Sequence, residues 1–320
     1  MQTRIAPALL ALGLVITAPV DANPIDSIVF FGDSLSDTGN VWYATGGFPP
    51  PPYYQGSSGG PPDFTGGQWS DYLGPSWPTV LASYFGLTAT PSLVPGGNNH
   101  AWGGARTGVN PDPAGVPWLD QQVGLYQLSG AAPGPGTLLS IMIGGNDVAN
   151  NLGDSAALAA GINSVVTQVT NLWSLGGREF LIATVPDIGA TPTFQALDQA
   201  NPGVAALATS WSIAWNDALT NALGQLALPD ARISYLDLFG LLDDPEILAN
   251  FENTTDACLT TESLCSDPGV YLYWDSFHPT STTHRLIAER GFAALAVPEP
   301  ATFAILAFAL LGLGLARRRV

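Results

Sequence analysis

Four short stretches of the chain are almost continuously apolar, and three of them run directly into glycine or proline. They are residues 27–31 (SIVFF), 138–143 (LLSIMI), 180–185 (FLIATV) and 233–238 (ISYLDL). Runs of this length without polar alternation are typical of strands that are covered on both faces of a sheet. The pattern therefore predicts four buried strands.

Longer stretches between and after these runs have helical character. Residues 156–175 and 204–228 repeat apolar side chains at close to the 3.6-residue period of an amphipathic helix. A third stretch, 280–295, follows Pro279, and proline suits the first turn of a helix. Strands that alternate with helices predict an α/β fold around a parallel sheet.

One segment interrupts this alternation. Residues 41–78 are rich in Pro, Gly and aromatic side chains, and they follow the first predicted strand. A connection of this length in a compact domain is usually either functional or disordered. So many aromatic residues argue against disorder, and we expect a functional loop.

Both ends of the chain resemble processing segments. Arg4 precedes an apolar run from Ile5 to Ile16, and Val20 and Ala22 have the positions of a signal-peptide cleavage site. A buried first helix is the alternative. We therefore expect a signal peptide at 1–22 and a folded domain at 23–296.

The last 24 residues combine an apolar run, Phe303–Ala316, with three terminal arginines. As a helix, residues 301–316 would extend roughly 24 Å, which is less than the about 30 Å of a bilayer core. Residues 297–320 are therefore expected to form a short membrane anchor at most.

The charge of the chain excludes some partners. It contains no lysine, and residues 23–296 contain five arginines against 24 acidic residues. Such an excess of negative charge opposes binding to nucleic acid and to anionic membrane surfaces. The 46% of hydrophobic residues excludes a disordered chain.

Cys258 and Cys265 are the only cysteines. In an exported protein this spacing favours a small-loop disulfide, with two free thiols as the alternative. Two cysteines without a suitably spaced histidine make a poor metal site, and no metal is expected.

Ser34 follows the first predicted strand in the sequence FFGDSLSDTGN, residues 30–40. Ligands bind at the carboxyl ends of strands in open parallel sheets, and a following helix would direct its free N–H groups to the same place. Ser34 is therefore a candidate nucleophile. The alternative is that it only caps the helix.

Asp275 and His278 lie in WDSFHPT, residues 274–280. A turn can bring a carboxylate to an imidazole three residues later, which fixes the tautomer and stabilises the protonated ring. A histidine with a purely structural role on the surface is the alternative. His284 is expected on the surface of the last helix, and His100 lacks an adjacent acid.

Two glycine-rich motifs, NNHAWGGART (98–107) and IMIGGND (141–147), offer hydrogen-bond donors near strand ends. Acyl transfer needs donors directed at a developing oxyanion, and Asn146 offers a donor that does not titrate. Each motif could also be a simple turn. Asp33 and Asp37 are expected to have structural roles in local turns.

In this order the four motifs resemble those of the GDSL or SGNH hydrolase family. The resemblance implies a flavodoxin-like three-layer α/β/α sandwich with a mainly parallel sheet, and it requires neither metal nor cofactor. It implies a catalytic triad of Ser34, Asp275 and His278. The implied oxyanion hole comprises the Ser34 amide, the Asn146 side chain and the amide of Gly104, with Gly103 as the neighbouring candidate. TGGQWSDYL at 65–73 also resembles a stretch of the longer members, and no predicted strand runs into a Gly-x-Ser-x-Gly elbow.

The function implied is that of a secreted serine esterase or lipase acting on a lipid or an acylated carbohydrate. A polysaccharide deacetylase-type esterase is an alternative. So is a non-catalytic extracellular matrix protein that binds through the aromatic segment.

The tail resembles the PEP-CTERM sorting signal, with Pro298-Glu299-Pro300, an apolar run and a basic cluster. This resemblance implies export to the outer surface or extracellular matrix of a Gram-negative-type bacterium. It further implies transient anchoring by the tail, which an exosortase-type enzyme would remove.

Overall fold

The computed structural model describes residues 25–56, 66–108 and 115–295. Its centre is a sheet of four parallel strands, which are the first, fourth, fifth and sixth strands along the chain, in that order. The strands are β1 (Ser27–Gly32), β2 (Tyr53–Tyr54), β3 (Gln68–Asp71), β4 (Thr137–Met142), β5 (Glu179–Ala183), β6 (Arg232–Leu236), β7 (Asn253–Ala257) and β8 (Tyr271–Tyr273). The α-helices are α1 (Asn40–Thr45), α2 (Trp77–Tyr84), α3 (Leu119–Leu128), α4 (Gly145–Asn150), α5 (Ser155–Ser174), α6 (Pro192–Ala200), α7 (Val204–Gly224), α8 (Leu238–Asp243), α9 (Pro245–Leu248) and α10 (Ser281–Leu295).

Side chains of the central sheet alternate between two cores. Register partners on adjacent strands (Val29, Leu139, Phe180 and Ile233) pack into the core that contains residues of α3, α5 and α7. Phe30 belongs to the opposite core, with residues of α2 and α10. Because successive side chains of a strand face opposite sides, helices cover both faces of the sheet. The predicted α/β/α sandwich with a mainly parallel sheet is confirmed.

The fourth predicted strand is two residues too long. β6 ends at Leu236, although the apolar run continues to Leu238. Asp237 is the N-cap of α8, and its carboxylate accepts the N–H of Gly240 at 2.9 Å. A capping side chain satisfies an otherwise free N–H of the first turn, so a helix begins while the sequence is still apolar.

The three predicted helices are present as α5, α7 and α10, but α7 is shorter than the stretch of periodic apolar residues that predicts it. It ends at Gly224, four residues before the predicted end. Leu226 and Leu228 still pack against the core beside α7. The apolar residues therefore continue as far as the chain is buried, which is beyond the point where the helical hydrogen bonds end.

In the aromatic segment, residues 41–78, the described parts 41–56 and 66–78 contain regular structure, and the second part is bonded to α10. Its strands β2 and β3 pair antiparallel. The side-chain oxygen of buried Gln68 accepts hydrogen bonds from the N–H and hydroxyl of Ser76. The Asp71 carboxylate accepts the N–H and hydroxyl of Ser281, the first residue of α10, at 2.6 and 3.0 Å. This attachment holds β3 beside the start of α10.

The prediction that His284 lies on the surface is wrong. Its side chain is fully buried where α10 packs against α2. Nδ1 accepts the N–H of Trp77 at 3.3 Å, and Nε2 donates to the carbonyl of Trp69 at 3.2 Å. Burial lowers the pKa of His284 to about 3, so the ring is neutral. The helical pattern of 280–295 did not show that α2 covers this face.

The predicted signal peptide, 1–22, and sorting tail, 297–320, lie outside the described residues. Of the helices that the structure describes, none is long and apolar enough to cross a membrane.

Candidate active site

Ser34 lies in a tight turn just after β1, at the carboxyl edge of the sheet. Gly32 permits that turn, because a Cβ there would collide with the carbonyl of Met142. The Asp33 carboxylate accepts the N–H of Leu35 at 3.1 Å and so stabilises the turn around Ser34. Burial raises the pKa of Asp33 to about 7. The turn presents the hydroxyl of Ser34 to residues from the other end of the chain.

His278 connects Ser34 to Asp275 through a line of hydrogen bonds. Its Nε2 lies 2.8 Å from Oγ of Ser34, and its Nδ1 lies 2.7 Å from Oδ2 of Asp275. The other oxygen of Asp275 accepts the backbone N–H groups of Phe277 and His278, both at 2.7 Å. The three side chains that the sequence motifs indicated are thus adjacent in space.

The charge of Asp275 determines which nitrogen of His278 is protonated. Burial alone would raise the pKa of Asp275, but the nearby imidazole and the hydrogen bonds to the carboxylate lower it to about 2. The ionised carboxylate holds the proton on Nδ1, because a carboxylate only accepts hydrogen bonds. Nε2 is then the acceptor for the hydroxyl of Ser34, as nucleophilic activation requires.

Two side chains of the aromatic segment enclose this pair. The hydroxyl of Tyr53 donates to Oδ2 of Asp275 at 2.8 Å. The Trp69 ring stacks on His278, with 4.8 Å between centroids and 28° between planes. Both contacts restrict the histidine–aspartate pair. Sequence reasoning indicated a functional segment here without identifying either residue.

The two candidate glycines have different environments. The N–H of Gly103 donates to Oδ2 of Asp37 at 3.0 Å, and the residue is buried against Trp69. Gly104 is exposed with φ at +81°, and its N–H makes no hydrogen bond to another described residue. The amide of Gly104 can therefore receive a ligand, whereas that of Gly103 is already occupied.

Asn146 has one free donor beside Ser34. One N–H of its side-chain amide donates to the carbonyl of Ala105 at 2.9 Å, which leaves the second for a ligand. Asn146 and Ser34 line the same cavity. Its neighbour Asp147 accepts the N–H and hydroxyl of Thr107. These bonds join α4 to the loop that contains Gly104.

Asp37 organises the first motif around a buried carboxylate. It accepts the backbone N–H groups of Gly39, Asn40 and Val41 in addition to that of Gly103. Burial raises its pKa to about 6, although the four donors oppose that shift. These contacts agree with the structural role that the sequence predicts for Asp37.

A disulfide joins Cys258 and Cys265, with 4.8 Å between their Cα atoms. The N–H of Cys258 donates to the carbonyl of Tyr273, and that of Leu259 donates to Trp274. The disulfide loop is thus bonded to the two residues that precede Asp275.

The remaining histidine belongs to the core. His100 stacks on Phe31 and packs edge-on against Tyr126, and burial lowers its pKa to about 4. Across the described ranges, no group of three or more His, Cys, Asp or Glu residues is arranged to hold a metal ion.

Family models match two regions of the chain. Residues 28–290 match the model described as GDSL-like Lipase/Acylhydrolase, and residues 296–319 match the PEP-CTERM protein-sorting motif. The first match includes every candidate site residue from Ser34 to His278. The second confirms the sorting motif that the sequence of the tail indicates.

Curated relatives match over most of the chain. An "uncharacterized protein in trpE-trpG intergenic region" of Pseudomonas putida is 27% identical over 334 residues, 93% of this chain and 52% of the relative. A GDSL esterase/lipase of Arabidopsis thaliana is 29% identical over 345 residues, 86% of this chain and 84% of the relative. The chain thus spans about half the length of the bacterial relative.

Two solved structures are similar at low sequence identity. One is a member of the lipolytic protein G-D-S-L family from Veillonella parvula, with a TM-score of 0.43, 11% identity, and coverage of 83% of this chain and 96% of that one. The other is the acetyl xylan esterase AlAXEase, with a TM-score of 0.41, 14% identity, and coverage of 84% and 100%.

Proposed function

Because the chain belongs to the GDSL-like lipase/acylhydrolase family, we propose that it hydrolyses carboxylic esters through a triad of Ser34, His278 and Asp275. The observation that carries this proposal is the continuous line of hydrogen bonds among these three side chains, at 2.8 and 2.7 Å. It lies at the carboxyl edge of a parallel sheet, where ligands bind in open α/β folds.

In the first half of the reaction, Nε2 of His278 takes the proton of Ser34 as Oγ attacks the ester carbonyl carbon. Asp275 stabilises the imidazolium that forms. The tetrahedral intermediate collapses when its bond to the alcohol oxygen breaks, and His278 gives its proton to that oxygen. The products of this half are a free alcohol and an acyl group bound to Ser34.

In the second half, His278 takes a proton from a water molecule, which attacks the acyl carbon. The bond to Oγ breaks, His278 returns the proton to Ser34, and a carboxylic acid leaves. No group outside the protein other than water is needed.

Three donors would stabilise the oxyanion in both halves: the backbone amide of Ser34, the amide of Gly104 and the side chain of Asn146. Gly104 is preferred to Gly103, since the N–H of Gly103 already donates to Asp37. Asn146 is held in one orientation by its bond to Ala105. Preorganised donors of this kind need no rearrangement when the charge develops.

We also propose that the chain divides into a leader at 1–22, a catalytic domain at 23–296 and a removable tail at 297–320. The PEP-CTERM motif indicates export and sorting in Gram-negative bacteria. The apolar run of the tail would anchor the protein transiently until an exosortase-type enzyme removes it.

The central test compares the wild-type protein with Ser34→Ala. The variant should lose hydrolysis of short aryl esters and labelling by a fluorophosphonate probe, while circular dichroism and thermal unfolding stay unchanged. Ser129→Ala, which removes the hydroxyl of an exposed residue at the end of α3 and its bond to the carbonyl of Tyr126, is the control and should keep both hydrolysis and labelling. A folded Ser34→Ala protein that still turns over esters would remove the proposal. A wild-type protein that takes neither ester nor probe would favour the non-catalytic matrix-binding alternative.

A further inference from the structure

Two spaces of unlike size adjoin the Ser34–His278 pair. The first, the inner pocket, is partly enclosed and is lined by Ser34 and Asn146. Its volume, counted as the space that the centre of a water-sized sphere can reach, is about 40 Å³. The second, the outer groove, is lined by Asp275 and His278, is more open, and offers about 650 Å³ on the same measure. The spaces share Phe277 as a wall.

Apolar side chains form most of the inner pocket, although Asp33, Asp187 and Thr191 also line it. Ile143, Val185 and Leu238 line it where β4, β5 and β6 end. Leu238 and Ile287 are fully buried members of the core between the sheet and helices α2 and α10. Close-packed core side chains yield little space without strain, so these walls limit the depth of the pocket.

The outer groove has a mixed lining. Three consecutive prolines, 50–52, and Tyr53 line it. Leu259, Thr260 and Thr261 of the disulfide loop also line it, together with Ser276. Flat apolar surfaces beside hydroxyl groups suit an alcohol that is larger than the acyl group of the inner pocket.

The chemistry assigns one part of an ester to each space. The carbonyl oxygen must face the donors of Ser34 and Asn146, and the leaving oxygen must lie within reach of Nε2 of His278. We propose that the inner pocket holds the acyl chain, that the outer groove holds the alcohol, and that the substrates are esters of short acyl groups with bulky alcohols. This inference rests on the esterase function proposed above and specifies its substrate class.

The size of the inner pocket sets the acyl length. The inner pocket offers about 40 Å³, against about 650 Å³ in the outer groove. A small pocket with core side chains as walls favours short acyl chains, which we take as acetyl to butyryl. A longer chain has to displace Leu238 or Ile287 from the core, or cross the wall at Phe277.

The first test uses the wild-type protein and 4-nitrophenyl esters of acetate, butyrate, octanoate and palmitate. We expect kcat/KM to be highest at acetate or butyrate, to fall at least tenfold at octanoate and at least 100-fold at palmitate. A kcat/KM that rises from butyrate to palmitate overturns the assignment of the inner pocket. Loss of all turnover, or turnover that persists in Ser34→Ala, would instead contradict the esterase function itself.

A second test keeps the acyl group constant. With butyrate esters of two primary alcohols of similar acidity, ethanol and 2-phenylethanol, the bulkier alcohol should give at least tenfold higher kcat/KM, mainly through a lower KM. Equal values for the two esters would overturn the assignment of the outer groove.

Variants in the shared and inner walls complete the design. Phe277→Ala and the partly buried Leu242→Ala should each raise the ratio of octanoate to butyrate turnover at least tenfold. Leu128→Ala removes an exposed leucine from another surface and should leave the ratio unchanged. An unchanged ratio in both folded wall variants would refute the assignment of the acyl chain to the inner pocket.

Discussion

Replacement of Asn146 by alanine separates a transition-state donor from a substrate-binding residue. The side-chain amide has two hydrogens, and one of them is committed to the carbonyl of Ala105 at 2.9 Å. The variant therefore removes one proposed oxyanion donor and one structural hydrogen bond. These two losses affect different measured quantities.

The catalytic loss should be the larger of the two. Removal of one oxyanion-hole donor typically lowers kcat by about 10²–10³, or about 2.7–4 kcal/mol of transition-state stabilisation. KM should change little, because the bond strengthens only as charge develops on the carbonyl oxygen. The lost bond to Ala105 should cost about 1 kcal/mol of folding stability.

The assay measures kcat and KM separately on 4-nitrophenyl butyrate, and thermal unfolding reports stability. Asn150→Ala is the matched control, because Asn150 is on the same short helix and its side chain donates to the carbonyl of Asn146 and to no other described residue. It should retain a near-normal kcat. If Asn146→Ala raises KM strongly and keeps kcat, Asn146 binds substrate and the oxyanion role is wrong.

Three further predictions concern pH, the disulfide and the tail. Burial raises the pKa of Asp33 to about 7, so folding favours the protonated carboxyl. The stability that this protonation contributes is complete below the unfolded pKa of about 4 and is lost as pH rises to about 7. The free energy of unfolding should fall by at most about 1.4 kcal/mol per pH unit in this window. Thermal unfolding of Asp33→Asn should depend less on pH in that window than that of the wild type, and equal slopes would contradict this. Reduction of Cys258–Cys265 should lower activity by loosening residues 273–275, and two thiols that alkylate without prior reduction would exclude the bond in the isolated protein. A chain ending at Ala296 should keep full esterase activity, and a folded but inactive product would mean that the tail belongs to the catalytic domain.

Most of the fold could be predicted from the sequence because its strands are buried on both faces. Such strands are recognisable as apolar runs, and all four are present in the central sheet. The predicted bounds are wrong where the chain stays buried but its backbone hydrogen bonds change. At Asp237, for example, a helix begins inside an apolar run. Burial of His284 was missed because the packing of α10 on α2 is a tertiary contact.

The candidate site was predictable only to the level of its motifs. Ser34, Asn146 and His278 each stand out beside a strand end or a helix start, and their catalytic roles remain predictions. The choice between two adjacent glycines depends on a carboxylate 66 residues away in the chain. The contacts of Tyr53 and Trp69 likewise join the aromatic segment to residues more than 200 positions later in the chain. The spacing of neighbouring residues in the sequence does not predict such contacts.

The line of hydrogen bonds at the site joins the two ends of the domain, since Ser34 and His278 are 244 residues apart. The strand before Ser34 also pairs with β4, more than 100 residues later. Contacts between distant parts of a chain form late, because the entropy of closing a long loop must first be overcome. The proposed triad is therefore complete only after the two ends of the domain have come together. Onset of ester hydrolysis during refolding should therefore coincide with complete folding of the domain.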